Sequence, residues 1–228
     1  MDMDLIIYAK LADCAYYTSD SQIQEKWPDS LEKKYELYHV ASTYFITTTV
    51  GSTTIISLRG TNSVSDFVYN LCPGDKPFLN VGSVRTGWYL RFKAMQSTLD
   101  QIIRESKHVV LTGHSLGAAI ALICAIYINE EHKLPVGVVG FALPSIGDHD
   151  IIEYVNRKID YVRVIDYQDI VAESLGDNYI STKTITLDLD TKPTWKLWNI
   201  KYHKIANYIE KIKTLYNNYK LLSEKSLI

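Results

Sequence analysis

The sequence predicts an α/β protein with a mostly parallel central sheet flanked by helices, folded as one domain. Three observations carry that prediction. An apolar run, Val109-Val110-Leu111, passes through Thr112-Gly113-His114-Ser115 into a small-residue helix, Leu116 to Tyr127. Strand-type runs and helical periodicities alternate through the middle of the chain, as β-α-β units do. At 228 residues, the chain is long enough to bury a substantial core in one domain.

Each element follows from local pattern. Leu5 to Tyr17 has the apolar spacing of an amphipathic helix. Asp29-Ser30, after Pro28, starts a short helix reaching about Leu37. Tyr44 to Thr48 and Thr53 to Arg59, with Gly51-Ser52 between them, read as a β-hairpin. Ser63 to Leu71 places Val64, Phe67, Val68 and Leu71 at helical spacing, and Ser63 with Asp66 forms a capping-box-like start. Tyr89 to Glu105 is helical. Val109 to Leu111 suits a buried parallel strand, and Ala118, Ala119 and Ala121 suit a helix pressed against a sheet. Pro135 to Ala142 is a strand, Asp148 to Arg157 a helix and Tyr161 to Ile165 a strand. Thr184 to Asp190 alternates like a half-exposed strand. His203 to Leu222 is a long amphipathic helix, with Lys204, Lys211, Lys213 and Lys220 among its apolar positions. No internal repeat or low-complexity linker interrupts this order.

Composition removes several classes of function. Lys and Arg number 24 against 26 Asp and Glu, so no basic excess points to nucleic acid. Met1-Asp2-Met3-Asp4 lacks the basic and apolar regions of a signal peptide. No apolar run approaches the ~20 residues of a transmembrane segment. Cys14, Cys72 and Cys124 cannot all pair and lack metal-like spacing, and Cys124 reads as core packing. The expected setting is reduced, cytoplasmic or otherwise intracellular. No metal or organic cofactor is implied.

Gly113-His114-Ser115-Leu116-Gly117, between a strand and a helix, has the form of a nucleophile elbow. The turn pushes Ser115 Oγ out of the fold, and the flanking glycines relieve crowding. The Leu116 N–H, opening the helix, points where an oxyanion would form. His114, the variable residue of the motif, is expected to point away and pack. A nucleophilic serine needs a base, and the base an orienting carboxylate. The chain order Ser, acid, His leaves His132, His149 and His203 as bases. His132 lies in a charged loop and His149 precedes most candidate acids, so His203 is favoured. Asp166 and Asp169, after the strand Arg163-Val164-Ile165, are the candidate acids, with Glu173 a weaker third. Spacing alone does not choose between the two aspartates.

Together these residues resemble the class 3, fungal-type lipase family of α/β-hydrolases. Thr112-Gly113-His114-Ser115-Leu116-Gly117 matches its T-G-H-S-L-G. Arg59-Gly60-Thr61 with Ser63 and Asp66-Phe67 is similar to its R-G-[ST]-x-S-x-x-[DN]-W, and Arg163-Val164 through Asp169 and Val171 to its R-V-x-x-x-x-D-x-V. His203 followed by Tyr208 resembles the family's histidine and aromatic. The resemblance implies an α/β-hydrolase fold and a catalytic set of Ser115, Asp169 and His203. It also implies an oxyanion hole built from Thr61 and Leu116. Ala118, Ala142 and Ala172 depart from the family pattern, as does Ser145, and leave the substrate range open.

The implied activity is serine-dependent hydrolysis of carboxylic esters in lipids, acylglycerols first. Phospholipase A and small-ester esterase activities are the near alternatives. A hydrolase-like protein that binds lipid or a partner without turnover is the alternative of another class. In the resembling lipases a helix near Ser63 to Leu71 is a lid; an ordinary core-facing helix is the equal alternative. The C-terminal helix offers a peripheral contact with a lipid surface, or simply packs on the sheet with its lysines solvated.

Overall fold

The computed structural model describes residues 4–61, 74–169, 184–187 and 202–225, with side chains as far as residue 217. The chain opens with α1 (Leu5–Cys14) and α2 (Asp20–Lys26). An antiparallel meander follows: β1 (Glu36–Val40), β2 (Thr43–Val50) and β3 (Thr53–Leu58). A separate small hairpin pairs β4 (Asp75–Phe78) with β5 (Gly82–Arg85). Then come α3 (Thr86–Ile103), β6 (His108–His114) and α4 (Leu116–Tyr127), which runs into a π-helical turn at Ile128–His132. The described chain continues with β7 (Val136–Phe141), α5 (His149–Lys158), β8 (Asp160–Asp166), β9 (Thr184–Leu187) and α6 (Ile205–Lys225).

Seven strands form one sheet in the order β1-β2-β3-β6-β7-β8-β9. β1, β2 and β3 pair antiparallel, and every pair from β3 to β9 is parallel. Alternate residues of β6 feed two cores. Val109 and Leu111 join the core under α3, α4 and α5, and Val110 joins the core under α1 and α6. A strand covered on both faces must be apolar throughout, which is why β6 reads as a continuous hydrophobic run. Every residue of α4 is buried, since it lies between the sheet and α3. Its alanines let it lie close: a Cβ on Gly140 would stand 3.3 Å from the Ala118 Cβ.

The two cores fix the site. Parallel strands β3, β6, β7 and β8 carry their C-terminal ends to one edge of the sheet, where α/β folds place their chemistry. Ser115, Gly60-Thr61 and Asp166 through Asp169 all leave strands at that edge.

Several expectations are corrected. No helix runs from Asp29 to Leu37. Trp27 is buried and its indole N–H donates to the Glu32 carbonyl at 3.1 Å, which folds the segment into a turn. Leu37 then enters β1 opposite Ile46. α2 starts earlier, capped by the Ser19 hydroxyl, which accepts from the Gln22 N–H. α1 stops at Cys14 rather than Tyr17, and α6 starts at Ile205, just after His203. Ser63 to Leu71, Cys72, Ala172 and Glu173 lie outside the described residues. Cys14 and Cys124 are buried thiols. Among the described residues no helix is long and apolar enough to cross a membrane.

Candidate active site

β6 ends at His114, and the chain turns at Ser115 with φ 58° and ψ −124°. A serine held at positive φ stores about 1–3 kcal/mol of strain, which surrounding structure must offset. Two backbone bonds do this: Ser115 N–H donates to the Phe141 carbonyl at 2.9 Å, and Ala119 N–H donates to the Ser115 carbonyl at 3.1 Å. The flanking glycines make the turn sterically feasible. A side chain at Gly113 would strike the backbone of Gly117 and Ala118; one at Gly117 would strike the Leu58 carbonyl. The start of α4 therefore lies directly against the end of β3.

Ser115, His203 and Asp169 meet here, all buried. The Ser115 hydroxyl lies 2.8 Å from His203 Nε2, and His203 Nδ1 lies 2.7 Å from Asp169 Oδ2. The carboxylate can only accept from Nδ1–H, so the lone pair of Nε2 faces the hydroxyl. In that arrangement the imidazole can take the serine proton, and the aspartate steadies the resulting cation.

Asp169 is held at its post by a tight turn after β8. Its N–H donates to the Asp166 carbonyl at 2.9 Å, and the Gln168 N–H donates to Asp166 Oδ1 at 3.0 Å. The structure thus separates the two aspartates that spacing left equal. Asp169 faces His203, while Asp166, fully buried, takes Lys211 Nζ at 2.6 Å on Oδ2. That pair ties the turn to α6, one turn beyond Tyr208. Lys211, expected to be solvated, is an internal tether, its ammonium also 5.7 Å from the Tyr202 ring centroid.

Tyr208 completes the acid's surroundings. Its hydroxyl donates to Asp169 Oδ2 at 2.7 Å. Burial and the Asp169 charge push the phenol well above its ordinary range, so it stays a donor. Burial also pushes Asp169 up, but the His203 hydrogen bond and charge, with the Tyr208 hydroxyl, outweigh it and hold the acid below 3.8. The stability this contributes is full above the unfolded value of 3.8 and is lost as pH falls through the lower folded value.

Thr61 is half-buried and continues from Gly60, which packs against the His114 carbonyl. The Leu116 N–H is at the N-terminus of α4, where backbone N–H groups lack intrahelical acceptors and the helix dipole favours negative charge. His114 packs, as expected, but next to the site rather than away from it. Its ring centroid is 4.7 Å from that of His203, and Nδ1 meets the Tyr16 hydroxyl at 2.8 Å. Burial, then the His203 charge, push its pKa well down and keep it neutral. His132 Nε2 bonds Asp100 at 3.0 Å, and His149 is exposed at the start of α5; neither is in the site's hydrogen-bond chain. Ligand atoms of His114, Asp169 and His203 lie within 4.8 Å of one another. Both ring nitrogens of His203 are nonetheless engaged, by Asp169 and Ser115, which leaves that ring none to offer a metal.

Sequence reasoning missed Tyr16 and Lys211 as partners of the site. Tyr16 is 98 positions from His114, and Lys211 is one lysine among several on an amphipathic helix, so neither carried a local signal.

Comparison with known proteins bears on the fold and the family. A lipase of Rhizomucor miehei is 30% identical over 132 residues, which cover 52% of this chain and 36% of that protein. The chain therefore aligns with only about a third of that relative's length. The solved structure of the Rhizomucor miehei triacylglyceride lipase superposes with a TM-score of 0.66 at 20% identity, covering 89% of this chain and 91% of that one. The Lip2 lipase of Yarrowia lipolytica gives 0.63 at 17% identity, covering 81% and 78%. Both likenesses concern the α/β-hydrolase fold. The sequence profile described as Lipase (class 3) matches residues 55–179, from β3 through the elbow and past the Asp166–Asp169 turn. That stretch is more than half of the sequence, and it places this chain in the class 3 lipase family.

Proposed function

We propose that the chain is a serine-dependent carboxylic-ester hydrolase acting on lipids, an acylglycerol lipase working through an acyl-enzyme. The observation that carries this is the unbroken hydrogen-bond chain from Ser115 through His203 to Asp169. Ser115 Oγ attacks the ester carbonyl carbon while His203 Nε2 takes its proton. The carbonyl oxygen becomes an oxyanion, held by the N–H groups of Leu116 and Thr61. As the intermediate collapses, the carbon–alkoxy bond breaks and His203 gives its proton to the leaving alcohol. Water then attacks the acyl-serine, losing a proton to His203, and the fatty acid departs as Ser115 regains its hydrogen. Each oxyanion donor is worth about 10²–10³ in turnover. Leu215 and Tyr216, about half exposed on α6, support a peripheral contact with a lipid surface.

Hydrolysis of glycerol esters of rising acyl-chain length, each below and above its solubility limit, tests the lipid reading. The expected result is a rate that climbs when long-chain substrate forms an interface. A rate that saturates on short, dissolved esters and ignores the interface would reassign the chain as a small-ester esterase.

A further inference from the structure

Beyond its pairing with β6, which runs to Leu58 opposite Gly113, the end of β3 meets the elbow through two further contacts. One is the bare Gly117 backbone on the Leu58 carbonyl. The other is made by Tyr16, just beyond α1. Its hydroxyl meets His114 Nδ1 at 2.8 Å. Gly60 is packed so closely there that a side chain on it would strike both that hydroxyl and the His114 carbonyl. The Arg59 guanidinium lies 6.0 Å from the Tyr16 ring centroid and 4.9 Å from that of Tyr44. One hydroxyl therefore joins the residue before Thr61 to the residue before Ser115.

We propose that Tyr16 is a positioning residue for the oxyanion pocket: by linking Gly60 to His114 it fixes the Thr61 N–H relative to Ser115 and the Leu116 N–H. The proposal rests on reading Ser115 as an ester-hydrolase nucleophile. Tyr16 acts through Gly60 and Thr61, not on the reacting atoms. Its effect comes from geometry. Donors must sit about 2.7–3.1 Å from the oxyanion, and a misplacement near 1 Å costs about 10²-fold. The Gly117 contact holds only the α4 side of that pocket. Without the Tyr16 hydroxyl, the Thr61 side keeps its strand but loses the atom against which Gly60 packs.

Tyr16→Phe tests this on a soluble p-nitrophenyl ester and on a trifluoromethyl ketone, whose hemiketal oxygen occupies the pocket. The expected result is a fall in kcat of about 10–100-fold at unchanged KM. Affinity for the ketone falls by the same factor, and the acid limb of the pH profile stays in place. His114→Asn, which keeps an acceptor near the Nδ1 position, retains much more activity than His114→Leu. Should Tyr16→Phe fail to fold, that pair decides, and equal rates for Asn and Leu overturn the proposal. In folded Tyr16→Phe, unchanged kcat, or a loss of kcat with unchanged ketone affinity, overturns it. A shifted acid limb also overturns it, because the effect would then pass through His203. An active wild type with unaffected variants sinks this proposal alone. A wild type inert toward both ester and ketone sinks the ester-hydrolase reading and this proposal with it.

Discussion

Ser115→Ala is expected to lower kcat by about 10⁵–10⁶-fold on any ester the wild type hydrolyses, the loss seen when a triad nucleophile is removed. The reason is local. Ser115 Oγ is the atom on His203 Nε2, at 2.8 Å, and no other hydroxyl takes that place among the described residues. The turn itself stays, since it is held by backbone bonds to Phe141 and Ala119 and by the glycine contacts. Steady-state assay together with a thermal melt checks the prediction. A lost rate with a melting temperature near that of the wild type is the expected pair of results. Retention of more than a hundredth of the rate would assign the nucleophile elsewhere.

Asp169→Asn is expected to cost about 10⁴-fold in kcat, and Asp166→Asn less than about tenfold. Asp169 Oδ2 accepts from both His203 Nδ1 and the Tyr208 hydroxyl. An amide NH2 turned toward Nδ1 would favour the opposite tautomer and put the ring proton on Nε2, where the base is needed. Asp166 meets Lys211 instead, so neutralising it loosens α6 without touching the imidazole. Its cost should be in stability, about 1–3 kcal/mol given a partly exposed lysine partner. Kinetics and melting curves for both variants separate the two roles. Equal kinetic losses would undo the assignment of Asp169 as the acid.

The legibility of this site in the sequence follows the range of the interactions. The elbow is a local rule: glycines around a serine between a strand and a helix. Its turn could be read from Gly113, Ser115 and Gly117, and the structure shows why each glycine is needed. The sheet's centre was legible because β6 and β7 are covered on both faces and must be apolar. The hairpin β4-β5 and α2 were not. Asp75, Lys76 and Pro77 are exposed, and α2 buries only Ile23, so neither carries a hydrophobic period. The Asp29 to Leu37 helix failed because Trp27 spends its indole N–H on Glu32 and closes a turn that propensity alone does not foresee. Asp166 and Asp169 differ only by which part of α6 each meets, and that depends on tertiary packing. The Tyr16 link is of the same kind.

The central claim is that Ser115 is a nucleophile activated by His203. The most direct measurement is labelling of the folded protein with a fluorophosphonate, followed by mass spectrometry to locate the adduct. The account predicts one adduct, on Ser115, formed rapidly in the wild type and almost lost in a folded His203→Ala variant. Absence of labelling at Ser115 in folded wild-type protein, or equal labelling without His203, would contradict it.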